Sequence, residues 1–412
     1  MHSELNPYAP GSGLKPPELA GRQLEIDAFD LLVARTRKRN SSRAIVLHGL
    51  RGVGKTVLLK RFQLQAEHAN WLIVELEASA TAEGSTAIRQ KLARALATAA
   101  HKFSRVAAAK DRLTDAFSTI TSFNVTLGFL SVGLGVEPNP TRANSGRLEV
   151  DLEELIEDLA PALLANSTAL GVFIDEMQDL DTELLTALLT AQHRAGQNGW
   201  PFFVIGAGLP SLPSLLSNSR SYAERLFDYR SLGALDSARA SDAVKLPAQR
   251  LSVPIADEAV QEIVSAAEGY PYFLQTFAMK AWNVAVGNSI ELEDARLGIT
   301  EGRFDLDMGF YPARWDRATS AERRYLIAMA ANPSGECATA EVAKALDSTQ
   351  QGLSTVRQGL IDKGIIFAPE RGRVAFTVPG MSSFIARQLD EIADQPGNTS
   401  EPSGRNGNGD DS

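Results

Sequence analysis

Short apolar runs alternate with longer segments of helical period through the first half of the chain. The runs are RAIVLH (43–48), WLIVELE (71–77), GVFIDE (171–176), FFVIGA (202–207) and LFDYRSL (226–232). Near-continuous apolar strands separated by helices are what a parallel sheet buried on both faces requires. The pattern predicts an α/β fold with a doubly wound core. After Asp236 the strand pattern stops and helical period takes over, most plainly in DEAVQEIVSAAE (257–268) and PYFLQTFAMKAWNVAV (271–286). A second, all-helical domain is the reading of that change. From Thr319 the chain runs SAERRYLIAMAA, ATAEVAKAL, TQQGLSTVRQGLIDKG and IIFAPERGRVAFTVP. Three short helices and then a hairpin outline a winged helix.

Residues 1–17, rich in proline and glycine, read as a flexible lead-in arm, and 393–412, almost without apolar residues, as a disordered tail. One stretch, FNVTLGFLSVGLGVEPNP (123–140), falls in a long connection between the second and third strands. There Phe123, Val125, Leu127 and Phe129 alternate with polar or small residues, and Leu130, Val132, Leu134 and Val136 continue in the opposite register. This predicts a hairpin or bulged strand within an insertion over 100–150. Two destinations stay open for it: packing on its own domain, or an exposed edge that docks a partner or another subunit.

The chemistry begins at HGLRGVGKTVLL (48–59). Gly49, Gly54, Lys55 and Thr56 satisfy the spacing of a phosphate loop, with an apolar strand before them and a helical segment after. Glycines let consecutive N–H groups and a helix N-terminus face phosphates, so Gly49, Leu50, Arg51, Gly52, Val53, Gly54, Lys55, Thr56 and Val57 are the candidate nucleotide-binding residues. Lys55 is expected at the β- and γ-phosphates and the Thr56 hydroxyl on Mg²⁺. In GVFIDEMQDLD, Asp175 ends an apolar run, where a parallel sheet opens its ligand crevice, and is the second candidate for Mg²⁺. Glu176 follows it, placed to orient or deprotonate water. A carboxylate there favours hydrolysis over phosphoryl transfer to another substrate.

The ordered set ELAGRQLEIDAF (18–29), GLRGVGKT, VFIDEMQDL, FFVIGAGLPSLP (202–213), YAERLFDYRSLGALD (222–236) and EGYPYFLQTFAMKAW (268–282) resembles the AAA+ ATPases of the origin-recognition type and the related signal-transducing STAND ATPases. The resemblance covers roughly residues 18–290. It implies ATP with Mg²⁺, a C-terminal winged helix, adenine enclosure by Gly21, Arg22 and Glu25, and a lid closing at Gly269, Tyr270 and Pro271. It also implies an arginine presented to a γ-phosphate, for which Arg225 is the candidate, with Arg220 and Arg230 behind it. Two departures favour slow, STAND-like turnover. Gly206, Ala207 and Gly208 stand where many relatives carry a polar residue, and the lid lacks a counterpart to the arginine frequent in origin-recognition ATPases.

These elements give a phosphate-loop ATPase domain at 18–235, a helical lid at 236–317 and a winged helix at 318–392. A net charge of −9 and a pI near 5.3 argue against coating nucleic acid through bulk charge. A local contact with duplex DNA stays open through Gln350, Gln351, Ser354, Thr355, Arg357, Gln358, Lys363, Arg371 and Arg373, beside a protein-partner role for the same domain. With Cys337 as the only cysteine, an internal disulfide and a cysteine-based zinc site are excluded. Without a leader pattern or an uninterrupted apolar run of about 18 residues, the chain reads as cytoplasmic, with no membrane partner. The expected function is an ATP-hydrolysing molecular switch. Its competitors are a DNA-binding initiator or transcriptional regulator with ATP as a structural ligand, and a nucleotide-gated scaffold without turnover; a nucleotide or sugar kinase ranks last.

Overall fold

In the computed structural model, which describes residues 2–11, 13–14, 19–79, 81–106, 111–126, 137–139, 141–332 and 335–393, the five apolar runs form one parallel sheet. Its strands are β1 (Ala44–Gly49), β2 (Leu72–Glu77), β3 (Leu170–Asp175), β4 (Phe202–Gly208) and β5 (Phe227–Leu232), in the order β2-β3-β4-β1-β5. The central β4 is buried at every position, whereas the edge strand β2 alternates buried with exposed residues, as edge position dictates. Pairings such as Val46 with Gly206 and Ile174 with Gly206 place β4 between β1 and β3. The C-terminal ends of the phosphate-loop strand and of the strand bearing Asp175 therefore flank the glycines that end β4.

The chain divides into two compact units, Met1–Leu306 and Asp307–Ser412. In the first, the helices associated with the sheet are α1 (Gln23–Arg37), α2 (Lys55–His68), α3 (Ala82–Val106), α4 (Asp111–Thr126), α5 (Leu148–Ala165), α6 (Thr182–Asn198), α7 (Leu212–Ser219) and α8 (Ala223–Leu226). Phe29 of α1 stacks on Phe62 of α2 at 4.6 Å, and Trp71 stacks on Phe203 at 5.2 Å, fixing helices and strands by interdigitated rings.

The connection between β2 and β3 holds α3, α4 and α5, and this overturns the strand expected to begin at Phe123. Phe123 and Val125 lie in α4, where Ile120 and Phe123 are buried at helical spacing. Asn124 within the stretch is buried, as is Ser122 just before it, whose hydroxyl donates to the Ser118 and Asn139 carbonyls at 3.1 and 2.8 Å. The rest of the expected hairpin, 127–136, lies outside the described residues.

Four further helices complete this unit: α9 (Ser237–Gln249), α10 (Asp257–Ala267), α11 (Pro271–Val284) and α12 (Leu292–Asp305). Residues 2–11 lie along them, which corrects the reading of this segment as a flexible arm. Tyr8 is buried, packs edge-on against Trp282 at 6.5 Å and donates its hydroxyl to the Val244 carbonyl at 2.5 Å. Asn6 Nδ2 donates to the Met279 carbonyl and to Asn283 Oδ1 at 2.9 and 2.8 Å. Two side chains anchor a segment that its proline and glycine content alone would leave loose.

The second unit begins earlier than the change of pattern at Thr319 suggests, because Tyr311 stacks on Phe384 at 5.2 Å within it. Its elements are α13 (Pro312–Trp315), α14 (Ser320–Ala330), β6 (Glu336–Ala338), α15 (Thr339–Ala345), α16 (Ser354–Asp362), β7 (Ile366–Phe367), β8 (Arg373–Phe376) and α17 (Met381–Ala393). The strands make a small antiparallel sheet in the order β6-β8-β7. The helix expected over 349–363 starts at Ser354, so Gln350 and Gln351 occupy the preceding turn; β6 and α17 were not foreseen. Among the described residues no helix is long and apolar enough to cross a membrane.

Candidate functional site

β1 delivers its last residue, Gly49, directly into the turn that ends at Gly54. Gly54 has φ 92°, a left-handed conformation in which a side chain is strained, and it caps the start of α2 so that the helix N-terminus opens onto the loop. Lys55, the first residue of α2, is buried, and its Nζ donates to the Gly49 and Leu50 carbonyls at 3.0 and 2.9 Å. Burial lowers its pKa to about 8, against the opposing pull of Glu176 and Asp175; Arg51 adds to the lowering. Val53 is buried under the loop, while Val57 continues α2 half-exposed.

The strand pairing brings Asp175 to this loop. The Thr56 hydroxyl donates to Asp175 Oδ2 at 2.6 Å, and the Glu176 N–H donates to Asp175 Oδ1 at 2.9 Å, so both carboxylate oxygens are fixed. Glu176 has φ 48° and ψ 43°, a left-handed backbone that a non-glycine residue rarely adopts and that tolerable strain confines to sites held by their surroundings. Two side chains hold its carboxylate: Arg51 NH1 donates to Oε1 at 2.8 Å and Gln178 Nε2 donates to Oε2 at 2.7 Å. Gln178 also accepts from the Leu209 N–H at 3.0 Å, immediately after β4.

Neither of these two contacts was foreseen from sequence. The signal for Gln178 lies in the glycines that end β4. A Cβ on Gly208 would come 2.4 Å from Gln178 Oε1, and one on Gly206 would come 2.4 Å from the Met177 sulfur. The β4 tip is bare because its neighbours' side chains occupy the space.

The other expected residues divide into those brought to the loop and those left away from it. Arg22 joins it from behind: its NH2 donates to the Val53 and Gly233 carbonyls at 3.1 and 2.9 Å, and burial lowers its pKa while Glu25 opposes that shift. Glu25 Oε2 is buried with no hydrogen-bond donor among the described residues. The lid corner also arrives. A Cβ on Gly52 would come 3.0 Å from the Tyr270 hydroxyl and 3.2 Å from Tyr272 Cβ, on either side of Pro271, which opens α11. The docked N-terminal segment reaches the site too, since a Cβ on Gly13 would come 3.6 Å from Thr56 Cγ2.

Arg225 stands apart. It is exposed at the end of α8, and no hydrogen bond or ion pair joins it to the loop among the described residues. Arg220 is paired with Glu149 at 3.1 Å and Arg230 with Asp228 at 2.6 Å. In the second unit, Arg373 pairs with Glu336 and Lys363 with the buried Glu322, each at 2.6 Å, so both are engaged within their own unit.

A nucleoside triphosphate with Mg²⁺ suits this arrangement. Thr56 and Asp175 offer a hydroxyl and a carboxylate in mutual contact. Mg²⁺ takes few protein oxygens and completes its shell with phosphate oxygens and water, which fits that sparse donor set.

The AAA ATPase domain family matches residues 18–205, and a second family, described only as a domain of unknown function, matches residues 308–385. No curated protein matches the chain. Among solved structures, a Walker-type ATPase of Pyrococcus abyssi is similar at 16% identity and a TM-score of 0.55, covering 90% of this chain and 97% of that one. Cdc6p of Pyrobaculum aerophilum aligns at 14% identity and a TM-score of 0.47, covering 95% of this chain and 99% of that one. The Orc1 protein of Aeropyrum pernix, solved with DNA, aligns at 14% identity and 0.45, covering 92% and 94%.

Proposed function

With residues 18–205 an AAA ATPase domain, we propose that the chain is an ATP-binding and ATP-hydrolysing molecular switch, slow in turnover and cytoplasmic. The observation that carries this reading is the closed set Lys55, Thr56, Asp175 and Glu176, in which the Thr56–Asp175 contact of 2.6 Å joins the loop to the strand bearing the carboxylates. The loop from Gly49 to Val57 wraps the phosphates with its N–H groups, and Lys55 supplies a charge to the β- and γ-phosphates. Thr56 and Asp175 would hold Mg²⁺, which when bound would neutralise charge on the phosphate oxygens. Glu176 orients the attacking water and receives its proton. In this reading the buried Glu25 Oε2, which has no donor among the described residues, accepts from the amino group of adenine, and Arg22 braces the loop.

The switch rests on the lid corner at Tyr270 and Pro271, which lies against Gly52, so a change in the loop reaches α11 directly. Residues 318–392 are read as a winged helix that serves a protein partner or self-association, because Lys363 and Arg373 are spent on ion pairs. Duplex DNA is the second reading, favoured by the exposed Thr355 and Gln358 of α16 and the exposed Gln351 in the turn before it. The test is ATP turnover by the purified protein beside Glu176→Gln, with and without duplex DNA across a salt series. Wild type is expected to hydrolyse and the variant to bind without hydrolysing. A wild type that does not bind ATP sinks the reading, and turnover that responds to DNA promotes the second reading over the first.

A further inference from the structure

Arg51 occupies one of the unspecified positions of the phosphate loop, where the loop's spacing gives a task to its backbone N–H and none to its side chain. Its guanidinium nevertheless turns toward the carboxylates and donates to Glu176 Oε1 at 2.8 Å, in a half-sheltered position. Glu176 is the group proposed to serve the attacking water, so a cation at this distance lies on the side of the loop from which a γ-phosphate is attacked. Arginine's planar fork suits phosphate oxygens, and its charge persists at every working pH. The arginines expected in that role from sequence are an exposed Arg225, with no hydrogen bond or ion pair to the loop among the described residues, and two that are ion-paired, Arg220 with Glu149 and Arg230 with Asp228.

We propose that Arg51 stabilises the γ-phosphoryl group during hydrolysis, in cis from the phosphate loop, and that Glu176 holds it until ATP takes it. The proposal rests on reading the chain as an ATP hydrolase. When ATP draws Arg51 away, Glu176 Oε1 is freed to accept from water while Gln178 retains Oε2. The water oxygen forms a bond to the γ-phosphorus as the bond from that phosphorus to the β–γ bridging oxygen breaks. ADP leaves with the electron pair, and the water proton passes to Glu176 and then to solvent. Arg51 forms no covalent bond; it neutralises charge on the oxygens of the phosphoryl group in flight.

The experiment compares wild type, Arg51→Ala and Arg51→Lys by single-turnover hydrolysis at saturating ATP over a series of protein concentrations, with ATP and ADP affinities measured separately. Arg51→Ala is expected to slow the step by about 10³-fold or more, to weaken ATP binding and to leave ADP binding intact. Arg51→Lys is expected to recover part of the rate, and the wild-type rate per molecule to be independent of concentration. Hydrolysis by Arg51→Ala at or above the wild-type rate overturns the proposal, because Arg51 is then only a clamp on Glu176. Equal losses of ATP and ADP affinity overturn it as loop damage, and a rate that climbs with concentration and is lost in Arg225→Ala assigns the role to a neighbouring copy. If wild type hydrolyses and Arg51→Ala does so undiminished, only this assignment fails; if wild type neither binds nor hydrolyses ATP, both readings fall.

Discussion

Gln178 grips Glu176 from the side opposite Arg51, its amide donating to Oε2 at 2.7 Å while its oxygen accepts from the backbone of Leu209 at 3.0 Å. The carboxylate that serves water in the proposed reaction is thereby tied to the end of β4, the strand between the phosphate loop's strand and Asp175's own. A polar side chain reaching across from the neighbouring strand's end supplies what Gly206, Ala207 and Gly208 cannot.

Removing that amide should cost rate and spare binding. Gln178→Ala is expected to lower kcat by roughly 10–100-fold, the usual effect of losing an outer partner of a reacting group, with ATP affinity unchanged. Gly208→Asn in the same background should restore part of the rate, since the vacated space can take a side chain. Steady-state kinetics and ATP titration check both, and a double variant no faster than Gln178→Ala would mean that Gln178 is merely structural.

Proton uptake should accompany ATP binding above about pH 8. Burial lowers the Lys55 amine to about 8 from its ordinary 10.5, and phosphate oxygens beside it favour the charged form. Above pH 8 the free protein must gain a proton to bind, so affinity falls as pH rises, by up to about tenfold per unit. Below pH 7 Lys55 carries its proton either way and contributes no such dependence. The unfolded chain holds this proton up to 10.5, so the unliganded protein should gain stability from this group as pH rises from 8 to 10.5. Calorimetry in two buffers of different ionisation heat reads the uptake, and Lys55→Met should abolish it.

Loss of the Tyr8 ring should be felt in stability. The ring is buried against Trp282 and its hydroxyl donates to Val244. Tyr8→Ala is expected to cost about 3 kcal/mol through the cavity it leaves, and Tyr8→Phe about 1 kcal/mol through the unpaired carbonyl. Urea unfolding measures both. Because the same segment passes Thr56 at Gly13, Tyr8→Ala should also weaken ATP binding.

Gly269→Ala should displace the lid corner. Gly269 has φ 68°, its carbonyl accepts from the Leu235 N–H at 2.8 Å, and a Cβ there would lie 2.2 Å from the Leu235 carbonyl oxygen. A clash with backbone cannot be relieved by a rotamer change, so the expected cost is about 2 kcal/mol or more, with weaker ATP binding than any matched substitution on the far side of α11. Thermal unfolding and ATP titration distinguish this from an inert change.

The five strands were legible because a sheet covered on both faces needs apolar residues at nearly every position, as in Ala44–Gly49 and Phe202–Gly208. That Lys55 and Thr56 would meet Asp175 and Glu176 was legible because each pair lies at a strand end and the turn after it. Phe123 misled because two residues apart satisfies a strand and Ile120 to Phe123 satisfies a helix; the buried Asn124 supplied a polar letter that was not solvent-facing. The contact of the Arg51 side chain with Glu176, and Gln178 altogether, were not legible, since both depend on which strands become neighbours. Tyr8 and Asn6 show the opposite case, in which composition predicted looseness and two specific anchors overrode it.

The order β2-β3-β4-β1-β5 also constrains how the sequence can drift. At the end of β4 the bare glycines and the side chains that lean over them share one fixed volume, Gly206 with Met177 and Gly208 with Gln178. Neither member of a pair can grow unless the other shrinks. Among relatives that keep this strand order, positions 177 and 206, and positions 178 and 208, should therefore change together, so that a bulkier residue at the β4 tip is accompanied by a smaller one after the acidic pair.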